Sequence, residues 1–426
     1  MRYLIYTETF PSRRSDAPRQ TGIGRYCADL AWGLAAVGHE VTVLTNDGIG
    51  PEVSSSTEPF RVELLGHAPS SGRAAAARSR EVLRRVRTLA PDYVLVGDPL
   101  GHAALSNRLG RVAAPVCPIL YGTELASWAA AAERARSPRT RFHQWRLRRY
   151  LARSVPICIS QYTAGLLRRV LPASRDECIV YPCVNGIFLT RPANPGFGAE
   201  LRRQVTRDGS TPLILATVAR ISERKNQLAV LKALDHLRQG GGPAWHYFVI
   251  GNIDGSEHEA YFAQLRAFTA ERGLVDRVTF IHHTTDEEKV DYLDACDASA
   301  MLSHSVGVSV EGFGISVIEA AARGKPVVVS DQGGMPETIV DGVTGFAVPP
   351  DDVPSIVGAL KALAVDPTRR ATMGDDGRRR TLEHFTPTAA AARLQAQLLA
   401  RRSISRPVLA KEAVAPALEG HGGQEL

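Results

Sequence analysis

Glu311 and Glu319, with seven residues between them, bracket the run Glu311-Gly312-Phe313-Gly314-Ile315-Ser316-Val317-Ile318-Glu319. The run follows a strand-like stretch and opens a helix. Glycines at 312 and 314 permit positive φ and let a ligand approach the backbone. Free N–H groups at a helix start, together with the helix dipole, favour an anion there. Glu319 falls about one and a half turns into the helix, beside Val317 and Ile318. A carboxylate so placed is costly to bury unless it is paired or bonded to hydroxyls. Ribose hydroxyls would satisfy it, and so would a nearby arginine or lysine. Glu311 stands before the loop, near where a sugar attached to bound phosphates would lie.

A second cluster lies upstream in Val218-Ala219-Arg220-Ile221-Ser222-Glu223-Arg224-Lys225-Asn226. Arg220 ends a strand and Lys225 precedes a helix. One forked and one point-like cation there suit a diphosphate. Each alone is a weak signal; together with the glycine loop they form a phosphate site.

These loops are held by alternating apolar strands and helical stretches, the pattern of parallel sheets with crossover helices. Strand-like runs are Arg2–Tyr6, Val41–Thr45, Tyr93–Gly97, Val116–Tyr121 and Val155–Ser160, with helices at Gly24–Val37 and from Tyr162 to Leu171. Gly38 reads as the C-cap of the first helix. The Pro- and Gly-rich stretch 190–211 reads as an interdomain linker. The alternation then restarts with strands at Leu213–Val218, Tyr247–Gly251, Val278–Ile281, Ala298–Leu302 and Pro326–Ser330 and helices at Asn226–Leu237, Glu257–Arg272 and Phe313–Arg323. Asp351-Asp352 reads as the end of a strand. The expected fold is α/β: two Rossmann-like domains, 1–195 and 196–402, facing each other across a cleft, with a patternless tail over 403–426. The last helix is expected to return to the first domain. In such folds ligands bind at the carboxyl ends of the strands.

Composition narrows the class. The chain has 426 residues, too many for one ordinary core, with 44% hydrophobic and 22% charged residues. No run of about 18 uncharged apolar residues could span a bilayer, and Met1–Tyr6 reads as a first strand rather than a signal peptide. The six cysteines are scattered without a CxxC pair, as in a reduced cytoplasmic protein, and a metal site is not expected. The formal net charge is +7, and arginine is dense between Arg134 and Arg153, where Phe142, Trp145, Leu147, Tyr150 and Leu151 interleave. That segment reads as a basic amphipathic helix, either a solvated face or a contact with an anionic acceptor or the inner face of a membrane. No nucleic-acid motif accompanies the charge. Abundant alanine and arginine suggest a high-GC bacterium.

The paired glutamates, the Arg220…Lys225 pair, Pro326–Ser330, Gly333-Gly334-Met335-Pro336-Glu337 and Asp341–Phe346 together resemble the retaining GT-B glycosyltransferases of family four, the group 1 glycosyltransferases. The resemblance is specific from about 213 to 352 and thinner at Thr21–Tyr26 and Gly38–Val41. It implies that Arg220 and Lys225 bind a diphosphate and Glu319 the ribose. Glu311 and the backbone of Gly312, Phe313, Gly314 and Ile315 would hold the donor sugar. Gly251 and Ile281–His283 would lie near the base and phosphates, and Gly22 and Gly24 beside the phosphates from the other lobe. Many relatives carry a histidine where this chain has Tyr121, which becomes the candidate catalytic contact. His102, Glu124 and Trp128 are acceptor-side candidates.

The implied reaction is transfer of a hexosyl-type sugar from a UDP- or GDP-linked donor to a small-molecule or lipid-linked acceptor, with retention and without a metal or other cofactor. The leaving diphosphate would take the acceptor proton. Three other readings compete. A nicotinamide-dependent dehydrogenase is disfavoured because Thr21-Gly22-Ile23-Gly24 falls about 15 residues after the first strand and lacks a third glycine. An epimerase or phosphorylase on the same fold, and a noncatalytic nucleotide-sugar-binding protein, remain open. Specialised or carbohydrate biosynthesis is the expected setting.

Overall fold

The computed structural model describes residues 1–8, 10, 22–45, 59–66, 72–98, 112–133, 137–172, 177–207 and 209–404. His102, and residues 405–426 of the expected tail, lie outside them.

Two parallel sheets form the frame. The first has seven strands, β1 (Arg2–Tyr6), β2 (Glu40–Thr45), β3 (Arg61–Leu64), β4 (Tyr93–Val96), β5 (Val116–Leu120), β6 (Ile157–Cys158) and β7 (Cys178–Ile179), in the order β3-β2-β1-β4-β5-β6-β7. The second has six, β8 (Leu213–Val218), β9 (Trp245–Ile250), β10 (Val278–Ile281), β11 (Ala298–Met301), β12 (Val327–Ser330) and β13 (Gly345–Val348), in the order β10-β9-β8-β11-β12-β13. Helices cover both faces of a sheet built this way, so its strands read as continuous apolar runs rather than alternating ones. Every residue of Leu213–Val218 is buried accordingly. The strand order reverses between β1 and β4 in one sheet and between β8 and β11 in the other. Crevices open at those points, outside the carboxyl ends of the strands. Arg220 lies just past β8, and the Glu311 loop follows β11. This is the GT-B arrangement of two facing Rossmann-like lobes.

Three local expectations need correction. The stretch read as a linker contains a helix, Pro195–Val205, started by the Asn194 side chain accepting from Phe197 N–H at 3.2 Å. Leu201 and Val205 bury its inner face, and Phe197 packs edge-on against Tyr292. Its proline and glycines fall in the first turn, where they do no harm. Asp352 does not end a strand but precedes the helix Val353–Val365, and Ser355 Oγ donates to its carboxylate at 2.5 Å. The first helix spans Gly22–Ala36, which brings Gly22 and Gly24 into its opening turn.

The chain crosses between lobes twice, and the crossings are welded. Past β7, Val184 N–H donates to Phe385 O at 2.7 Å. Tyr181, Phe313 and Phe385 pack ring on ring, with centroids 5.4 to 5.7 Å apart. The final helix, Pro387–Ile404, lies against the first helix and β7, where Gln397 both donates to and accepts from the Ile179 backbone. Phe385 is fully buried at this junction, so Phe385→Ala should destabilise by about 3–5 kcal/mol through lost burial and the cavity left behind. Thermal unfolding would show a lowered midpoint; a midpoint shift no larger than that of the surface control Phe142→Ala would contradict the welded junction.

Candidate functional site

The site forms where the β8 and β11 loops converge. After β8 the chain makes a short 3₁₀ turn, Glu223–Lys225, and Asn226 adopts a left-handed φ of 54° before the helix Gln227–Gln239. The turn points Arg224 and Lys225 toward the same carboxylate. Lys225 Nζ and Arg224 Nη1 each donate to Glu311 Oε2 at 2.5 Å, and the Lys225 and Glu311 side chains are only 13% and 15% exposed. Burial opposes ionisation of Glu311, but the ammonium and guanidinium outweigh it and hold its carboxyl down to about 2. Burial, with Arg224 and Arg220 nearby, lowers the Lys225 ammonium below its ordinary value, against the pull of Glu311.

Arg224 is the residue the sequence reading missed. Only the 3₁₀ turn decides that it, and not Arg220, shares Glu311 with Lys225. Arg220 stands at the rim, half-exposed, with Nε 3.2 Å from Asp254 Oδ2.

Gly312 and Gly314 have separate reasons to be glycine. A Cβ on Gly312 would stand 2.0 Å from Tyr121 O, so the two lobes touch here backbone to backbone. Ser160 Oγ, from the N-terminal lobe, donates to Gly312 O at 2.7 Å. Gly314 has φ 103°, which side chains resist, and no side chain caps the helix Ile315–Ala322 that it starts. The N–H groups of that helix start are left without a side-chain partner. Phe313 faces away, into the junction rings, so only its backbone is offered to the loop. Glu319 is buried in the helix, and among the described residues nothing hydrogen-bonds its carboxylate. Burial raises its pKa, while Arg25 and Lys289 pull it down. No basic residue among those described bonds Glu319 directly.

Other expected residues fall as follows. Gly251 follows β9 directly, with His282 Nδ1 2.7 Å from its carbonyl. His283 is exposed, has φ 57°, and donates its N–H to Asn252 Oδ1 at 2.8 Å. Gly22 is exposed and a Cβ there would meet nothing, whereas Gly24 is buried. Tyr121 is half-buried, edge-on to Tyr26, with its hydroxyl 3.8 Å from Cys27 Sγ. Burial pushes its phenol well up, so it is a neutral hydroxyl at ordinary pH. Glu124 does not reach toward an acceptor: its carboxylate accepts the Tyr121 N–H at 2.5 Å, closing the start of its own helix. Trp128 packs on the N-terminal core.

The comparisons agree with the fold. Residues 199–380 match the family described as glycosyl transferases group 1, and residues 20–185 match glycosyltransferase family 4. Each lobe thus carries a glycosyltransferase domain, the C-terminal one of group 1. A GDP-mannose-dependent alpha-(1-6)-phosphatidylinositol monomannoside mannosyltransferase of Mycolicibacterium smegmatis is 32% identical over 206 residues, 46% of this chain and 49% of that one. A D-inositol 3-phosphate glycosyltransferase of Nocardia farcinica is 34% identical over 203 residues, 47% of this chain and 43% of that one. The chain thus spans about half the length of these two relatives. Among solved structures, Anabaena HepE in complex with UDP and glucose superposes with a TM-score of 0.71 at 18% identity, over 94% of this chain and 100% of that one, a likeness of fold.

Glu311→Gln should lower stability at neutral pH by about 1–3 kcal/mol, because it leaves two partly buried cations without an anion. An unfolded glutamate titrates near ~4.3, and the folded one is held to about 2. The carboxylate's contribution is therefore full above the unfolded value and is lost as pH falls through the folded one. The gap between wild type and variant should be wide at pH 7 and shrink as pH drops toward 2. Denaturant unfolding across that range measures it, and a gap that stays constant contradicts the pairing.

Proposed function

We propose that this glycosyltransferase moves a hexosyl sugar from a UDP- or GDP-linked donor to an acceptor hydroxyl, with retention and without a divalent metal. The observation that carries the reading is the partly buried Lys225–Glu311–Arg224 cluster at the start of the loop that leads into an uncapped, glycine-started helix, with unbonded Glu319 farther along that helix. In this reading the diphosphate lies over the helix start between Lys225 and Arg220, which must leave Asp254 to reach it. Glu319 accepts from the ribose hydroxyls and Glu311 from the sugar hydroxyls.

Negative charge grows on the diphosphate as the sugar bond breaks. Fixed cations and helix-start N–H groups stabilise that charge with little reorganisation. They serve in place of a metal, and the departing phosphate oxygen takes the acceptor proton. Two named relatives support a nucleotide-sugar donor of either base: one is GDP-mannose-dependent and one was solved with UDP and glucose. The epimerase, phosphorylase and binding-protein alternatives differ in product: only a transferase releases nucleoside diphosphate in step with glycosylated acceptor.

The acceptor side is proposed to meet an anionic lipid surface. The helix Pro138–Leu151 contains no acidic residue. Leu147, Tyr150 and Leu151 anchor its inner face, while Phe142 and Trp145 are 58% and 54% exposed and stack at 5.7 Å. Arg149 lies over Trp145, and Arg141, Arg148 and Arg149 are exposed around the pair. Aromatic rings ringed by guanidinium groups suit an anionic headgroup layer. The phosphatidylinositol-linked acceptor in the name of one relative is consistent with a lipid acceptor. No helix among the described residues is long and apolar enough to cross a membrane.

Thermal shift with UDP, GDP and their sugars should raise the midpoint for one base, since a ligand of the native state stabilises it. With that donor, Arg220→Ala and Lys225→Ala should each reduce turnover by at least about a hundredfold, the scale of a lost transition-state charge contact. Activity should survive a chelator. Near-normal rates in both variants would defeat this placement. Separately, the protein should cosediment with vesicles containing phosphatidylglycerol and not with pure phosphatidylcholine, and raised salt or the double change Phe142→Ala, Trp145→Ala should weaken it. Equal binding to neutral vesicles would exclude the anionic surface.

A further inference from the structure

The cleft lies at the carboxyl ends of the strands, yet a separate polar cavity opens at the amino ends of the C-terminal sheet. It measures about 40 Å³ and sits where β8 and β9 begin, between the segment after the helix Pro195–Val205 and the 3₁₀ turn Val275–Arg277. Arg207, Ser210, Trp245, His246, Asp276 and Arg277 supply its polar lining. One water needs roughly 10–15 Å³ of such space, so the cavity has room for a few waters or for one oxyanion of phosphate's size. A strand rises about 3.3 Å per residue, which sets Trp245 roughly 20 Å from Gly251 at the other end of β9.

Several groups of the lining lack partners. Trp245 is 2% exposed, and its indole N–H meets no acceptor. A buried donor left unmade costs about 1–3 kcal/mol. His246 is 6% exposed; its Nε2 lies 2.9 Å from Thr279 Oγ1, and its Nδ1 has no hydrogen-bond partner among the described residues. The Arg277 guanidinium stands 5.9 Å over the Trp245 ring and pairs with no carboxylate among those residues. Arg207 Nη1 is 3.3 Å from Asp276 Oδ2, but those side chains are 52% and 75% exposed, so the pair is weak. Burial first, and then Arg207 and Arg277, hold the His246 imidazole down to about 4, so the ring is neutral. Two guanidinium groups against one solvated carboxylate leave a surplus of positive charge beside two ring nitrogens without partners.

We propose that this cavity binds a phosphate group, free or as a monoester, at a second ligand site separate from the donor cleft. Arg207 and Arg277 supply the charge, and the Trp245 indole supplies a fixed N–H. With Thr279 Oγ1 donating to Nε2, the neutral His246 ring carries its proton on Nδ1 and offers it to the anion.

The test uses full-length protein labelled with nitrogen-15. Each of its four tryptophans gives an indole N–H signal, and Trp245→Phe identifies the one at the cavity. Inorganic phosphate should move that signal to saturation and raise the pKa of His246, since a nearby anion favours the imidazolium. Chloride at equal ionic strength should do neither. Arg207→Gln with Arg277→Gln should weaken binding at least about tenfold, and each change alone should weaken it less. Both arginines reach solvent, so the double variant should keep its unfolding midpoint. Methyl phosphate that binds as well as inorganic phosphate assigns a monoester to the site, and its rejection assigns the free anion. Saturating UDP or GDP should leave the phosphate in place. A Trp245 signal that phosphate does not move means the cavity holds water, and overturns the proposal. So does displacement by UDP or GDP, which would move the site to the cleft. An equal response to chloride, or one that none of the arginine variants weakens, marks an adventitious ion only and overturns it as well.

Discussion

A carboxylate held out of water must be neutralised, and at Glu311 two cations do so at 2.5 Å each. Much else at the site follows from that arrangement. The 3₁₀ turn after β8 exists in a form that aims two consecutive basic residues at one oxygen. The glycine loop can then run close over the cluster, because its backbone needs no side chain there. Fixed charges that are partly withdrawn from solvent act more strongly on a bound anion than they would in bulk water.

The second constraint is steric. The lobes meet at Gly312 and Tyr121 with no room for a Cβ between them. Ser160 and Gly312 are tied across the same gap, and Glu337 of the C-terminal lobe accepts the Gln161 and Tyr162 N–H groups that open an N-terminal helix. With the ring cluster of Tyr181, Phe313 and Phe385, these contacts bind the lobes near the chain crossings. Arg25 and Asp286 make another link across the cleft. Backbone hydrogen bonds, packed rings and buried charge therefore act on one geometry, the facing of two sheet edges.

Most strands were legible because parallel strands covered on both faces must be apolar throughout, and Leu213–Val218 or Tyr93–Val96 are. Short strands such as Ile157–Cys158 and Cys178–Ile179 were blurred or missed, since two residues carry no period. The helix Pro195–Val205 was hidden by a proline and glycines that are harmless in a first turn. At the site, Glu311, Lys225 and the glycines were readable from type and spacing. Arg224 was not, because adjacent residues look equivalent until a turn orients them. Glu124 read as an acceptor contact only because a local backbone bond is invisible in a string of letters.

The sequence by itself determined the alternation of strand and helix, the position of the two βα loops, the acidic pair and the family. Those are properties of near neighbours, written in local pattern and residue chemistry. The tertiary structure alone decided which cation meets which carboxylate, that Arg220 rests on Asp254, and that Arg25 reaches Asp286 from 261 residues away. Charge pairing depends on distance in space, and chain spacing carries no record of that distance once two lobes have closed on each other.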